Sequence, residues 1–272
     1  MLENSLVYFL GAGAMAESMI KGMLAQGVVK PGQIMINDIR TERMQELQER
    51  YSIRAQGRLE QATIVILAFK PKDLVSALKS YKEQLHPGQL VISLLAGIET
   101  AQIERHLPPQ TPMVRSMPNT AAAVGLAATA ICPGRWASGK HLAIAESLFA
   151  AIGSVQRVTE SMLDAVTALS GSGPAYVYLL AEAMQAGGVA AGLDSATAHA
   201  LTVQTLLGAA EMLKVSGRSA TELRQQVSSP GGTTLAGLQA LAEYRFSEAV
   251  QAAILQAAQR SRFLAQIAAD SN

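Results

Sequence analysis

"YFLGAGAMAESMIKG", residues 8–22, decides how the rest of the chain is read. An apolar run ends in Gly11-x-Gly13-x-x-Ala16, and apolar residues at helical spacing follow at once. Strand, glycine turn and helix in that order suit a dinucleotide. Gly11 permits the tight turn, Gly13 lets a pyrophosphate approach the main chain, and Ala16 keeps helix and strand close. The phosphates then rest on a helix N-terminus, where unpaired N–H groups and the helix dipole favour negative charge. A glycine turn alone is a weak signal. Its place between a first strand and a helix leading to a second strand is what points to dinucleotide binding.

Working outward, "SLVYFL" (5–10), "QIMIN" (33–37), "ATIVILAF" (62–69), "QLVISLL" (89–95) and "PMVRSM" (112–117) read as strands. Amphipathic stretches such as "AESMIKGMLAQG" and "TERMQELQERY" lie between them. This alternation predicts a mostly parallel, doubly wound sheet. "LAATAIC" (126–132) and "SVQRV" (154–158) would add edge strands around a helix over 138–151. After about residue 160 the strand signal stops and every segment has helical period. Asp194 is placed to cap one helix, Ser219-x-x-Glu222 forms a capping box for another, and Gly192 and Gly217 read as stop signals. The expectation is an α/β Rossmann-like doubly wound domain over 1–160, followed by an all-α domain over 161–272.

The bulk numbers exclude several functions. The 272 residues are 49% hydrophobic and 16% charged, ample for a large core. A net charge of +1 with scattered Lys and Arg offers no footprint for nucleic acid. The longest apolar stretch, "AAAVGLAATAI" (121–131), falls short of the roughly 18 residues a membrane span needs. The opening "MLENS" is not that of a signal peptide. Cys132 is alone, which excludes an internal disulfide and fits a reducing cytoplasm. Four histidines are widely spaced, so no metal site is expected. "GRWASGKH" (134–141) has the spacing of a phosphate loop but ends in His141 and follows no buried strand, so it reads as a surface turn. The Ala-rich second half has more apolar helix surface than one copy can cover, which predicts a homo-oligomer.

Strand ends supply the candidate coenzyme contacts. In "INDIRTER" (36–43), Asp38 suits a ribose 2′-hydroxyl and Arg40 or Arg43 suits a 2′-phosphate. Both are present; two cations against one acid favour NADPH, with NADH left open. "LAFKPKD" (67–73) and "SLLAG" (93–97) end on the same edge as Gly11, which nominates Ala68, Lys70, Pro71, Ala96 and Gly97. In the helical half, "SSPGGTTLAGL" (228–238) breaks the pattern with residues that free several N–H groups and hydroxyls to meet at one point. It reads either as a carboxylate cradle or as a plain N-cap made by Thr233 or Thr234. "ALSGSGPAYVY" (168–178) is a second glycine-rich break. No Lys–Asp or His–Asp proton relay is evident, which suits a substrate that already carries its proton, such as an iminium.

"GAGAMAESMIKG", "AFKP", "SLLAG", "RSMPNT", "DAVTALSGSGPAYVYLLAEAM" and above all "QQVSSPGGTTLAGLQAL" resemble the motifs of pyrroline-5-carboxylate reductases, in the same order over nearly the whole chain. The resemblance implies NAD(P)H-dependent reduction of 1-pyrroline-5-carboxylate to L-proline, and a C-terminal dimerisation domain whose dimers often assemble into a ring of five. Carried over, Ser229, Gly231 and Gly232 hold the substrate carboxylate. Thr234 bonds the ring nitrogen as the catalytic group, and Thr233 and Glu160 border the substrate. Gly11, Gly13, Ala14, Met15, Ala68, Lys70, Pro71, Ala96 and Asn119 surround the coenzyme. Asp38 departs from the residue expected of a strict NADP enzyme.

Overall fold

The computed structural model describes Leu2 and residues 5–270. One sheet contains β1 (Val7–Leu10), β2 (Ile34–Asn37), β3 (Arg54–Ala55), β4 (Ile64–Leu67), β5 (Leu90–Ser93), β6 (Met113–Met117), β7 (Ala127–Pro133) and β8 (Gly153–Arg157). Their spatial order is β3-β2-β1-β4-β5-β6-β7-β8. Neighbours run parallel except β6 and β7. β1, β4 and β5 are buried along their whole length, as a parallel sheet covered on both faces requires.

Side chains alternate across the sheet and fill two cores. On one face Val7, Phe9, Ile34, Ile36, Ile64 and Ile66 meet Ala16, Met19, Ile20 and Met23 of α1 (Ala14–Ala25). The same core takes Met44 and Leu47 of α2 (Thr41–Tyr51). On the other face Tyr8, Leu10, Val65, Leu67 and Val91 meet Leu74 and Leu78 of α3 (Leu74–Tyr81) and Ile103 of α4 (Thr100–Glu104). Each such residue contributes roughly 1.5–3 kcal/mol of burial. α5 (Gly139–Ala150) joins β7 to β8; contrary to expectation the phosphate-loop look-alike does follow a largely buried strand, β7, but its Ser138 and His141 are spent on a capping box at the start of α5. The two-residue β3 was not anticipated, being too short to show any alternation.

After Arg157 no further strand occurs among the described residues. α6 (Leu163–Val166) continues through a π turn, Thr167–Gly171, so the glycine-rich stretch near 170 is a widened helical turn rather than a break. Then come α7 (Gly173–Ala190), α8 (Ser195–Val215), α9 (Ala220–Gln226), α10 (Thr233–Glu243) and α11 (Phe246–Asp270). The caps fall where the residue types direct them. Asp194 accepts the Thr197 N–H at 2.9 Å, and Ser219 and Glu222 exchange bonds at 2.7 and 3.2 Å. Gly192 and Gly217 follow α7 and α8 with positive φ.

The chain divides into two compact units, one of residues 1–172 with 255–272 and one of residues 173–254. The second has almost no interior: Ala198 and Thr202 are its only buried residues.

Candidate coenzyme and substrate sites

The register brings the strand ends level. Leu10, Asn37 and Leu67 are partners across β2, β1 and β4, and Ser93 is level with Leu67. Chain order reverses direction at β1, which is where ligands settle in open α/β sheets. The two glycines after β1 serve different ends. Gly11 has φ +98°, and a Cβ there would lie 2.6 Å from the Ala68 carbonyl, so the backbone packing excludes any side chain. A Cβ on Gly13 would meet nothing within 4 Å. Gly13 is also the N-cap of α1 and has no capping side chain. Open space in front of an uncapped helix N-terminus is what a pyrophosphate fills, so the residues fit a dinucleotide.

Met15, Ala68 and Ala96 line one cleft of about 190 Å³ at this edge, together with Phe69, Leu94, Met117 and Pro118. Ala14 is exposed at the start of α1, and Gly97 turns with φ +73° after Ala96. Lys70 is exposed, and it and Pro71 open the turn Pro71–Asp73 rather than lining the cleft. Sequence reasoning passed over Met117 and Pro118, although both lie inside the "RSMPNT" stretch. Asn119 next to them is half-buried and braced, donating to Ser170 O at 3.0 Å and accepting the Ala128 N–H at 3.3 Å.

Asp38 stands at the end of β2 and accepts the Ala12 N–H at 2.8 Å, which ties it to the glycine turn itself. It also accepts the Arg40 N–H and Nε, each at 3.0 Å. Burial acts to raise its pKa, but the Arg40 guanidinium and the Ala12 and Arg40 amides outweigh this and hold the carboxyl below the usual carboxylate range. Glu160 is similar. Its carboxylate accepts the Thr100 N–H and hydroxyl, both at 2.7 Å, and Arg115 Nη1 at 2.9 Å. Burial again pushes its pKa up, and those donors bring it below the ordinary value. Arg115 and Thr100 were not anticipated as its partners. Cys132 is buried, and burial lifts its thiol to about 11, which disfavours the thiolate. Among the described residues no cluster of His, Cys, Asp or Glu is placed to hold a metal ion.

In the second unit, Gly231 turns with φ +71° and Gly232, not a threonine, is the N-cap of α10. The reading of Thr233 or Thr234 as that cap is therefore overturned: both lie within the first turn. No side chain caps α10. Among the described residues Ser229, Thr233 and Thr234 have no side-chain hydrogen-bond partner, and Gly232 N–H turns back to Ser229 O at 3.0 Å. A Cβ on Gly232 would meet Ser229 Oγ at 2.5 Å, so glycine keeps that hydroxyl beside the helix start. The result is a helix N-terminus with the Ser229 hydroxyl beside it and two threonines in its first turn, suited to a small carboxylate.

A doubly wound coenzyme fold followed by a helical region with an anion cradle defines a dinucleotide-dependent oxidoreductase. Residues 160–264 match the family model for pyrroline-5-carboxylate reductase dimerisation. Residues 6–97 match the model described as NADP oxidoreductase, coenzyme F420-dependent. The chain is 42% identical over 269 residues to pyrroline-5-carboxylate reductase 1 of Bacillus subtilis, covering 97% of this chain and 91% of the relative. It is 38% identical to the Arabidopsis thaliana pyrroline-5-carboxylate reductase, with 97% of each covered. Among solved structures, a pyrroline-5-carboxylate reductase from Coxiella burnetii superposes with a TM-score of 0.91 at 34% identity, covering 96% of this chain and 99% of that one. The Plasmodium falciparum pyrroline carboxylate reductase with NADP bound gives 0.85 at 27% identity, covering 97% and 99%. The chain belongs to the pyrroline-5-carboxylate reductase family.

Proposed function

We propose that this chain reduces 1-pyrroline-5-carboxylate to L-proline, the last step of proline synthesis, with NADPH or NADH as the reductant. The observation that carries this reading is the uncapped start of α10, where Gly231, Gly232 and the hydroxyls of Ser229, Thr233 and Thr234 are left for an anion. The coenzyme, when bound, supplies a hydride. Gly11, Gly13, Ala14 and Met15 hold its pyrophosphate; Asp38 takes the adenosine ribose 2′-hydroxyl, and Arg40 beside it faces a 2′-phosphate. Ala68, Lys70, Pro71, Ala96 and Asn119 border it along the strand ends.

On the substrate side, the α10 amides with Ser229, Gly231 and Gly232 fix the carboxylate, which orients the ring. Thr233 and Glu160 border it. The Thr234 hydroxyl accepts the N–H of the ring nitrogen of an iminium substrate, which fixes the plane of the C=N bond. A substrate entering as the iminium already carries the N–H proton, and its positive charge leaves the C=N carbon electrophilic where a bound coenzyme would supply the hydride. Positioning then supplies most of the rate.

The coenzyme domain is residues 1–160 and the substrate and dimerisation domain 161–272. The working form is a cytoplasmic homodimer, assembled further into a ring of five dimers. No helix among the described residues is long and apolar enough to cross a membrane, and the scattered charge speaks against a nucleic-acid partner. Mixing purified protein with 1-pyrroline-5-carboxylate and NADPH or NADH tests the reading. Loss of reduced-nicotinamide absorbance with stoichiometric proline supports it; loss only with a hydroxyacid partner pair, or none at all, overturns it.

A further inference from the structure

The two arginines after β2 are used differently. Arg43 is a strut: Nε donates to Ala12 O at 2.9 Å, Nη1 to Glu46 at 2.6 Å, and Nη2 to Glu17. Its side chain is 16% exposed and no nitrogen of its guanidinium is free. Removing it would leave Glu17 Oε2 without its partner and cut the tie to Ala12 O, while Arg50 and Tyr51 would still hold Glu17 Oε1. Arg40 is 58% exposed, and its guanidinium touches Asp38 alone, at 3.0 and 3.3 Å. Asp38 does not depend on that contact, because the Ala12 and Arg40 backbone N–H groups stay on it. An exposed pair of this kind contributes little, whereas a guanidinium facing a phosphate forms two charge-assisted bonds.

The ribose 2′ substituent of a dinucleotide lies at the end of the second strand, which is where Asp38 stands. Charge around it cancels: Asp38, Glu17 and Glu46 face Arg40, Arg43 and Arg50. Held rigid, that cluster has no net attraction for a 2′-phosphate. Only one cation in it can be redirected. We propose that Arg40, and not Arg43, is the residue that admits both coenzymes. Paired with Asp38, it leaves that carboxylate to accept a ribose 2′-hydroxyl; released from Asp38, it turns its fork to a 2′-phosphate. Asp38 acts as the resident stand-in for the phosphate, and Arg43 only braces the turn.

This rests on the dinucleotide reading above, and binding measured without turnover tests it. The full chain, Arg40→Ala, Arg40→Gln and Asp38→Asn are titrated calorimetrically with NADPH, NADH, adenosine 2′,5′-bisphosphate and adenosine 5′-monophosphate. Both Arg40 variants should weaken NADPH and the bisphosphate by about tenfold or more. NADH and the monophosphate should stay within about twofold. Asp38→Asn should shift the ratio towards NADPH. Equal losses for both coenzymes, or an unchanged ratio in both folded Arg40 variants, would overturn the assignment while leaving the dinucleotide site intact. A wild-type chain that binds none of the four ligands would remove the coenzyme site and the assignment together.

Discussion

The first compact unit and the second are built from similar amounts of apolar residue per length but spend it in opposite ways. In the first, strands and helices bury Val7, Phe9, Ile36, Ile66, Phe149 and their neighbours completely. In the second, Leu179, Leu201, Leu207 and Tyr244 are 66%, 54%, 55% and 86% exposed, and only an alanine and a threonine are buried. A helical unit without an interior cannot offset its own chain entropy. It needs a partner surface, and a second copy of the same helices is the simplest one. The glycine turn after β1 therefore sits on a self-sufficient scaffold, and the start of α10 on one whose helices leave their apolar faces uncovered.

The sharpest way to break that contrast is to charge the apolar face of α8. Val203 and Leu207 lie one turn apart and are 41% and 55% exposed. Val203→Asp with Leu207→Asp should dissociate the oligomer in sedimentation velocity and lower turnover by about 100-fold or more, since each charge placed in an apolar interface costs several kcal/mol. Coenzyme affinity should persist, because the first unit keeps its own core. Retained oligomer and activity would show that the exposed face is not an interface.

The next test divides the two glycines of the first turn. Gly11→Ala presses a Cβ onto the Ala68 backbone at 2.6 Å with φ +98°. It should lower stability by about 2–4 kcal/mol in urea melts and weaken the coenzyme as a consequence. Gly13→Ala has open space for its Cβ and should cost no more than about 1 kcal/mol in the melt as a poorer N-cap, while weakening the coenzyme by about tenfold or more. Equal effects of the two on stability would mean that both are folding glycines and that Gly13 faces no ligand.

Thr234→Ala addresses the second unit's cradle. The hydroxyl has no partner among the described residues, so stability should hold while kcat falls about 10–100-fold through loss of a charge-assisted bond. Unchanged kcat would remove Thr234 from the chemistry. Gly232→Ala offers a gentler companion, since its nearest contact is the movable Ser229 Oγ at 2.5 Å and the Ser229 carbonyl stands at 3.1 Å; KM should rise with a smaller loss in the melt than Gly11→Ala gives.

Local pattern made much of this legible. The β1–Gly11–α1 order, the strand ends at Ala68 and Ala96, the Asp194 cap and the Ser219–Glu222 box follow from residues within a few positions of each other. Pairings set by tertiary structure were not legible. Glu160 meets Thr100 across 60 residues and Arg115 across 45, and nothing local marks those partners. At residues 36–43 the sequence shows one acid and two bases, but not that Arg43 is spent on Glu17 and Glu46 while Arg40 is held by Asp38 alone. At 233–234 the threonines look like caps, and only the backbone reveals that Gly232 holds that place.

The smallest expected effect concerns Glu160, an internal anchor of a kind the second unit lacks. Its carboxyl is held below the ordinary value by Thr100 and Arg115. A depressed folded-state pKa means a stabilisation fully present above the unfolded-state value and lost as pH falls through the lower, folded-state one. Glu160→Gln keeps the shape and one acceptor but removes the charge facing the buried Arg115. At neutral pH it should cost about 1–2 kcal/mol, with side-chain exposure of 34% keeping the loss modest. The gap to wild type should stay constant down to the ordinary glutamate range and then close as pH drops further. Urea midpoints measured across that range give the answer. A gap that does not change with pH would show that the carboxylate's charge is not what anchors this turn, and that the hydrogen bonds from Thr100 suffice.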